Sequence, residues 1–282
     1  LGYQLILGNT YHLMLRPVEK TVKRHGGLHG FMDWPGSILT DSGGYQVFSL
    51  AHRRKITEEG VAFRSHINGD LHELGPERAI QIQQDLGSDI MMVLDECPPH
   101  DSKPRYMRES VARTTRWAER CLKARGPYAG ALFGIIQGGL DQEMRAAHLD
   151  ELKAMPFEGL AIGGLSVGEG TEAMDEMVGF IVPRMPEERP RYLMGVGLPG
   201  DIIRAVGHGV DMFDCVVPTR NARNGQLFTW DGPIQLRHAA HTDDLGPVEP
   251  ECKCEACRRF SRAYLRHLYK ADEILGMRLN TL

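Results

Sequence analysis

Short apolar runs alternate along the chain with longer segments whose apolar residues recur at helical spacing. The runs Gln4–Gly8, Ser37–Thr40, Ile90–Leu94, Ala131–Ile136, Leu160–Gly163, Tyr192–Val196 and Val210–Asp214 predict strands. The helical pattern predicts helices over Pro76–Leu86, Arg105–Ala124, Gln142–Ala154, Glu172–Val182 and Gly200–His208, and Pro76 suits a first helical turn. Strand–helix alternation of this kind reads as an α/β fold, a parallel sheet covered by helices. A closed barrel has eight strands. These runs number seven and the chain opens almost directly in a strand, so the expectation is a (β/α)8 TIM barrel whose first strand lies before Leu1. A doubly wound open sheet is the rival. Gly195-Val196-Gly197-Leu198-Pro199-Gly200 spells GxGxxG, but Pro199 sits inside it and a lone match is weak support.

Two stretches interrupt the alternation. Gly60–Leu74 carries Asn68-Gly69 between β-like segments, which predicts a hairpin insertion. Leu227–Cys257 is turn-rich and leads into Cys252, Cys254 and Cys257, a spacing that suits one tetrahedral zinc ion and asks for a fourth ligand. The expected organisation is a catalytic barrel core over residues 1–226, with the insertion at 60–74, and a zinc-binding subdomain with a basic helix over 227–282. Arg258, Arg262 and Arg266 recur every four residues, a basic stripe read either as a solvated face or as a phosphate-tracking surface.

Composition narrows the class. With 42% hydrophobic and 25% charged residues the chain is neither collagen-like nor disordered. Its apolar runs fall far short of the ~20 residues of a membrane span. A net charge of −4 argues against a wholly basic nucleic-acid coat but leaves room for a local basic patch. Cys97, Cys121 and Cys215 are scattered, so the thiols form a metal pattern plus loose cysteines, which points to a reducing, cytoplasmic setting.

Polar residues and glycines close nearly every predicted strand: Asn9, Asp41, Asp95-Glu96, Gln137-Gly138-Gly139, Gly163-Gly164, Gly195 and Asp214. Singly, each has an ordinary role. Asp41 suits an Asx turn or a helix N-cap, Asp95 an ion pair, and Gln137 a buried backbone partner. Together, three aspartates at the ends of three strands would repel one another at a barrel mouth, and a ligand or a reaction explains their presence better.

Six segments then carry a resemblance: Asp41-Ser42-Gly43-Gly44-Tyr45-Gln46-Val47-Phe48; Gly87-Ser88-Asp89-Ile90 leading to Asp95-Glu96-Cys97; Phe133-Gly134-Ile135-Ile136-Gln137-Gly138; Gly163-Gly164-Leu165-Ser166-Val167-Gly168-Glu169; Tyr192-Leu193-Met194-Gly195-Val196-Gly197; and Asp211-Met212-Phe213-Asp214-Cys215 with Pro218-Thr219-Arg220-Asn221-Ala222-Arg223-Asn224-Gly225. In this order, and with the cysteine cluster, the chain resembles the bacterial tRNA-guanine transglycosylases. These are zinc-bearing (β/α)8 barrels that exchange a guanine at the anticodon wobble position of tRNA for a 7-deazaguanine, in queuosine biosynthesis.

The resemblance implies roles. Asp214 would be the nucleophile on the ribose C1′ and Asp41 the acid/base. Ser42, Gly43, Gly44, Tyr45, Asp95, Gln137, Gly164 and Met194 would hold the base, with Asp95 accepting from its N1–H and amine. Gln137 and the Gly164 N–H would meet its carbonyl, and Tyr45 and Met194 its two faces. Gly195, Val196, Gly197, Leu198, Pro199, Gly200 and Asp201, with Thr219, Arg220, Asn221, Ala222 and Arg223, would contact RNA. Cys252, Cys254 and Cys257 would hold Zn2+. The family's fourth ligand is a histidine just beyond the position of Asn280-Thr281-Leu282, which implies an incomplete zinc site here; His267 is not that ligand. Val167 and Cys97 match the bacterial pattern, which takes 7-aminomethyl-7-deazaguanine, while Ser166 departs from its usual alanine. Homodimers are common in the family. A non-catalytic tRNA-binding homologue is the alternative, opposed by the presence of Asp41, Asp95, Gln137 and Asp214. A sugar-cleaving barrel explains the carboxylates but not the cysteines.

Overall fold

The computed structural model describes residues 2–50 and 54–282. Seven parallel strands form one sheet: β1 (Leu5–Gly8), β2 (Ser37–Thr40), β3 (Ile90–Met92), β4 (Ala131–Ile136), β5 (Gly159–Ile162), β6 (Arg191–Leu193) and β7 (Met212–Phe213). Each pairs with the strand before it in the chain, and β1 and β7 are the two edges. The architecture is α/β, a curled parallel half-barrel. All seven predicted strand runs are present, with ends shifted by one or a few residues. β4 and β5 are buried almost throughout, as expected of strands covered on both faces.

The helices follow from local signals. Pro76–Leu86 opens on proline and ends at Gly87, whose φ of +75° supplies the left-handed C-terminal residue. From this helix the buried Gln83 accepts the Met92 N–H at 2.8 Å and the Thr40 hydroxyl at 3.0 Å, closing the ends of β3 and β2. Pro104–Arg125 buries Trp117 completely, and its indole N–H donates to the Glu58 carbonyl at 2.8 Å. Asp141 caps Gln142–Lys153 by accepting the Met144 N–H. No helix among the described residues is long and apolar enough to cross a membrane.

Two expectations need correction. The 60–74 insertion is not a lone hairpin: Val61–Arg64 and Leu71–Leu74 pair across Asn68-Gly69, but Arg54–Ile56 adds a third antiparallel strand. The period-2 signal of that strand is only three residues long, too short to read. The basic stripe does not lie on one helix. Arg258 belongs to Glu255–Arg259, while Arg262 and Arg266 lie on Arg262–Lys270, which restarts at the Ser261 N-cap. Arg262 is also held by Asp244 and the Val248 carbonyl, and Arg266 by the His238 carbonyl.

Two compact units make up the chain: residues 2–196 with 200–214, and residues 197–199 with 215–282. The first holds the parallel sheet, with Trp117, Tyr192, Phe63 and Ile135 in its core. The second has its own apolar centre of Leu227, Leu236, Leu265, Leu268 and Leu279, around the antiparallel pair Gln226–Thr229 and Gly232–Gln235.

Trp117→Ala removes the largest fully buried side chain and one of the two hydrogen bonds that the Glu58 carbonyl accepts, leaving it to Arg120. A stability loss of about 3–5 kcal/mol is expected. Urea unfolding checks it, with a lowered midpoint and an unchanged slope.

Candidate active site

The carboxyl ends of the parallel strands carry the polar residues. After β1, Asn9 caps helix Thr10–Leu15 by accepting the His12 N–H at 3.0 Å, and its amide donates to Asp41 Oδ2 at 2.5 Å. Asp41 follows β2, and its Oδ1 accepts the N–H groups of Thr10 (2.9 Å) and Gly43 (3.1 Å). The Asx turn foreseen for Asp41 is therefore present, alongside long-range contacts it did not foretell. Gly43 takes a φ of +79°, and a Cβ there would press on the Tyr11 backbone at 3.1 Å. Ser42, Gly43 and Gly44 are buried; Tyr45, on helix Gly44–Leu50, is half-exposed.

Asp95 lies beyond β3 and accepts from the Gln137 amide, beyond β4, at 2.6 Å. A Cβ on Gly44 would sit 2.7 Å from the Asp95 carbonyl, so only glycine lets these two loops meet. Gln137 Oε1 is buried with no protein partner. Beyond β5, Gly164 has a φ of +62°, and a Cβ there would lie 2.3 Å from that same oxygen. Beyond β7, Asp214 Oδ1 accepts the Tyr192 hydroxyl at 2.5 Å and the Gly195 N–H at 2.9 Å. Met194 is half-buried at the end of β6.

Electrostatics ties the set together. Burial pushes the Asp41 carboxyl from 3.8 up to about 7, against its two backbone N–H bonds, and the charges of Asp214 and Asp95 push it further the same way. Burial lifts Asp95 to about 6, opposed by the Gln137 bond. The Tyr192 hydroxyl is raised well above its ordinary value by burial and then by Asp214, so it stays a donor. Burial drives Cys97 up to about 12, which makes it an inert thiol beside Gln137 and Gly164.

The other named residues stand as follows. Gly195 is exposed and Val196 buried. Asp201 is buried and paired with Arg204 at 2.5 Å. Gly200 is exposed, as is Leu198 beside Pro199; Gly197 is buried against Cys215, where a Cβ would meet its Cβ at 2.2 Å. Thr219, Arg220, Asn221, Ala222 and Arg223 form most of helix Val217–Arg223, with both arginines exposed and Ala222 buried. The Sγ atoms of Cys252, Cys254 and Cys257 lie within 4.8 Å of one another. Tetrahedral Zn–S bonds of ~2.3 Å place sulfurs ~3.8 Å apart, so the group fits a metal ion with small adjustment. No fourth histidine, cysteine or carboxylate joins them among the described residues.

Sequence reasoning missed Tyr192 as the partner of Asp214, and missed Arg145 and His148 behind Gln137. A tyrosine inside a strand reads as core, and a histidine on a helix as surface.

The raised carboxyls make stability pH-dependent. A group whose pKa is higher folded than unfolded favours the folded state at low pH, and that contribution is lost as pH rises from 3.8 through about 7 for Asp41 and about 6 for Asp95. The thermal midpoint should fall between pH 4 and 8, each kcal/mol being worth about 2–4 °C at this size. Asp41→Asn and Asp95→Asn should each flatten that slope. A scan of melting temperature against pH for the three proteins decides it.

Comparison with known proteins gives the family. A family model described as Queuine tRNA-ribosyltransferase matches residues 1–282. A Queuine tRNA-ribosyltransferase of Solidesulfovibrio magneticus is 54% identical over 281 residues, covering 99% of this chain and 75% of the relative. Those of Thermodesulfovibrio yellowstonii and Halothermothrix orenii are each 55% identical, covering 100% and 99% of this chain and 74% of each relative. The chain therefore belongs to the queuine tRNA-ribosyltransferase family, a family of tRNA-guanine transglycosylase enzymes.

Proposed function

We propose that this enzyme exchanges guanine at the wobble position of tRNA for 7-aminomethyl-7-deazaguanine by double displacement. The observation that carries the reading is the gathering of three strand-end aspartates into one electrostatic neighbourhood, two of them buried, with Asp41 feeling both Asp95 and Asp214. A base stacked in a helix cannot be reached, so the nucleotide is first flipped out.

An Asp214 oxygen attacks the ribose C1′. The C1′–N9 bond breaks, its electron pair stays with the departing guanine, and Asp41 supplies the proton that leaves it neutral. The ribose is then held as an aspartyl ester. The incoming base gives its N9 proton to Asp41 and attacks C1′, which releases Asp214. Two inversions retain the configuration, the logic of retaining glycosidases. Tyr192 and the Gly195 N–H, both on the Asp214 Oδ1, leave Oδ2 to react.

The base is read by Asp95, which accepts from its N1–H and amine, and by Gln137 and the Gly164 N–H at its carbonyl. The amide of Gln137, bound to Asp95 in this structure, turns toward the carbonyl when the base enters. Ser42, Gly43 and Gly44 form the wall beside Asp95, and Tyr45 and Met194 cover the two faces. Gly195–Asp201 meets the RNA largely through backbone, while Thr219, Arg220, Asn221, Ala222 and Arg223 present helix Val217–Arg223, its two arginines holding flanking phosphates.

Residues 1–226 serve as the catalytic core and 227–282 as the zinc-binding subdomain. Cys252, Cys254 and Cys257 would hold Zn2+, which cross-links the turn to helix Glu255–Arg259 and has no part in the displacement. The enzyme works as a cytoplasmic homodimer, which sedimentation would check.

Asp214→Asn should abolish incorporation of labelled guanine into tRNA, and denaturing gels should lose the protein–RNA adduct that the parent forms. Parent-level exchange by the variant would refute the assignment. Because one group near 7 works in both directions, ester formation should fall about tenfold per pH unit above neutrality, and ester breakdown should fall likewise below it. Single-turnover rates of each half-reaction read this out. Removing the metal with a strong chelator should release zinc and lower the melting temperature; Cys254→Ser should reproduce both effects, followed by metal analysis and calorimetry.

A further inference from the structure

Helix Gln142–Lys153 buries two polar side chains one turn apart, Arg145 and His148. Neither takes part in the displacement. The hydrogen bonds of Arg145 all go to backbone carbonyls: Nε to Gly139 (2.7 Å), Nη1 to Ile136 (3.3 Å), and Nη2 to Gly163 (2.9 Å) and Gly164 (3.4 Å). One guanidinium thus spans the loops after β4 and β5. A neutral side chain of similar volume would avoid the cost of burying a charge, so the carbonyl contacts have to justify the residue. Burial brings Arg145 down to about 10, which leaves it protonated at neutral pH.

His148 works on the same strand end. Its Nδ1 accepts the Gln137 N–H at 2.9 Å. Burial lowers the ring to about 4, so it is neutral, with its proton on Nε2. The loop runs against the helix closely enough to require glycine: at Gly138, with φ +138°, a Cβ would meet Arg145 Cγ at 2.9 Å.

We propose that Arg145 and His148 are positioning residues that fix Gln137 and the Gly163-Gly164 turn at the separation needed for both to address one carbonyl of the base. This rests on the functional reading above. A planar fork with several donors can hold carbonyls of two loops at once, which an ammonium cannot do in the same geometry. An acceptor behind Gln137 is all that is asked of residue 148, so asparagine should serve there and leucine should not.

The test measures guanine exchange into tRNA for the parent, Arg145→Lys, His148→Leu and His148→Asn, with melting temperatures alongside. Arg145→Lys and His148→Leu should raise KM for guanine about tenfold or more with a smaller change in kcat, as loss of ground-state and transition-state binding alike requires, while KM for tRNA stays within about twofold. His148→Asn should recover most of the parent's KM. Unchanged guanine KM in the folded variants overturns the inference, as does a His148→Asn protein as impaired as His148→Leu. Should Arg145→Lys not fold, the histidine pair decides. A parent that exchanges no guanine overturns the functional reading instead. The positioning claim is then scored by thermal protection from free guanine, present in the parent and lost in His148→Leu if the claim holds, equal in both if it does not.

Discussion

Two carboxylates held out of water, with a third partly buried beside them, are the constraint on which the rest of the structure depends. A buried acid opposes its own ionisation, and two neighbours of like charge oppose it further. The fold answers each differently. Asp41 receives an amide and two backbone N–H groups and still sits near 7. Asp95 leans on Gln137 and lies lower, near 6. Asp214 is only partly buried and is steadied by Tyr192 and Gly195.

That arrangement dictates the glycines around it. Gly43, Gly44 and Gly164 lie where a Cβ would strike Tyr11, Asp95 or Gln137, so the loops after β2 and β5 can close on the segments after β1, β3 and β4 only without side chains there. Behind them, Gln83, Arg145 and His148 occupy the backbone groups that the short strands leave open. A polar scaffold of this kind is costly to bury unless every member is satisfied. Gln137 Oε1 and His148 Nε2 both depart from that rule, and the former lies beside the proposed base site.

Much of this was legible from sequence. The alternation of apolar runs with helical stretches gave the parallel sheet, and Pro76 marked the start of one helix to the residue. Polar residues at strand ends picked out Asp41, Asp95, Gln137 and Asp214, because side chains there converge whatever the detailed packing. The hidden parts depend on tertiary contacts with no periodic signature. Tyr192 is spaced like a core residue, yet its hydroxyl reaches a carboxylate 22 positions away. Arg145 looks like an ordinary cation on an amphipathic helix until the helix is laid against two loops. The strand Arg54–Ile56 is too short to alternate visibly, and the arginines at 258, 262 and 266 kept their four-residue spacing across a helix break that Ser261 caps.

The most direct measurement is a carbon-13 NMR titration of the aspartate carboxyls in the parent and in Asp214→Asn and Asp95→Asn. The account predicts an Asp41 carboxyl titrating at about 7 that moves down when either neighbour loses its charge. An Asp41 that titrates near 3.8 and ignores both substitutions would contradict it.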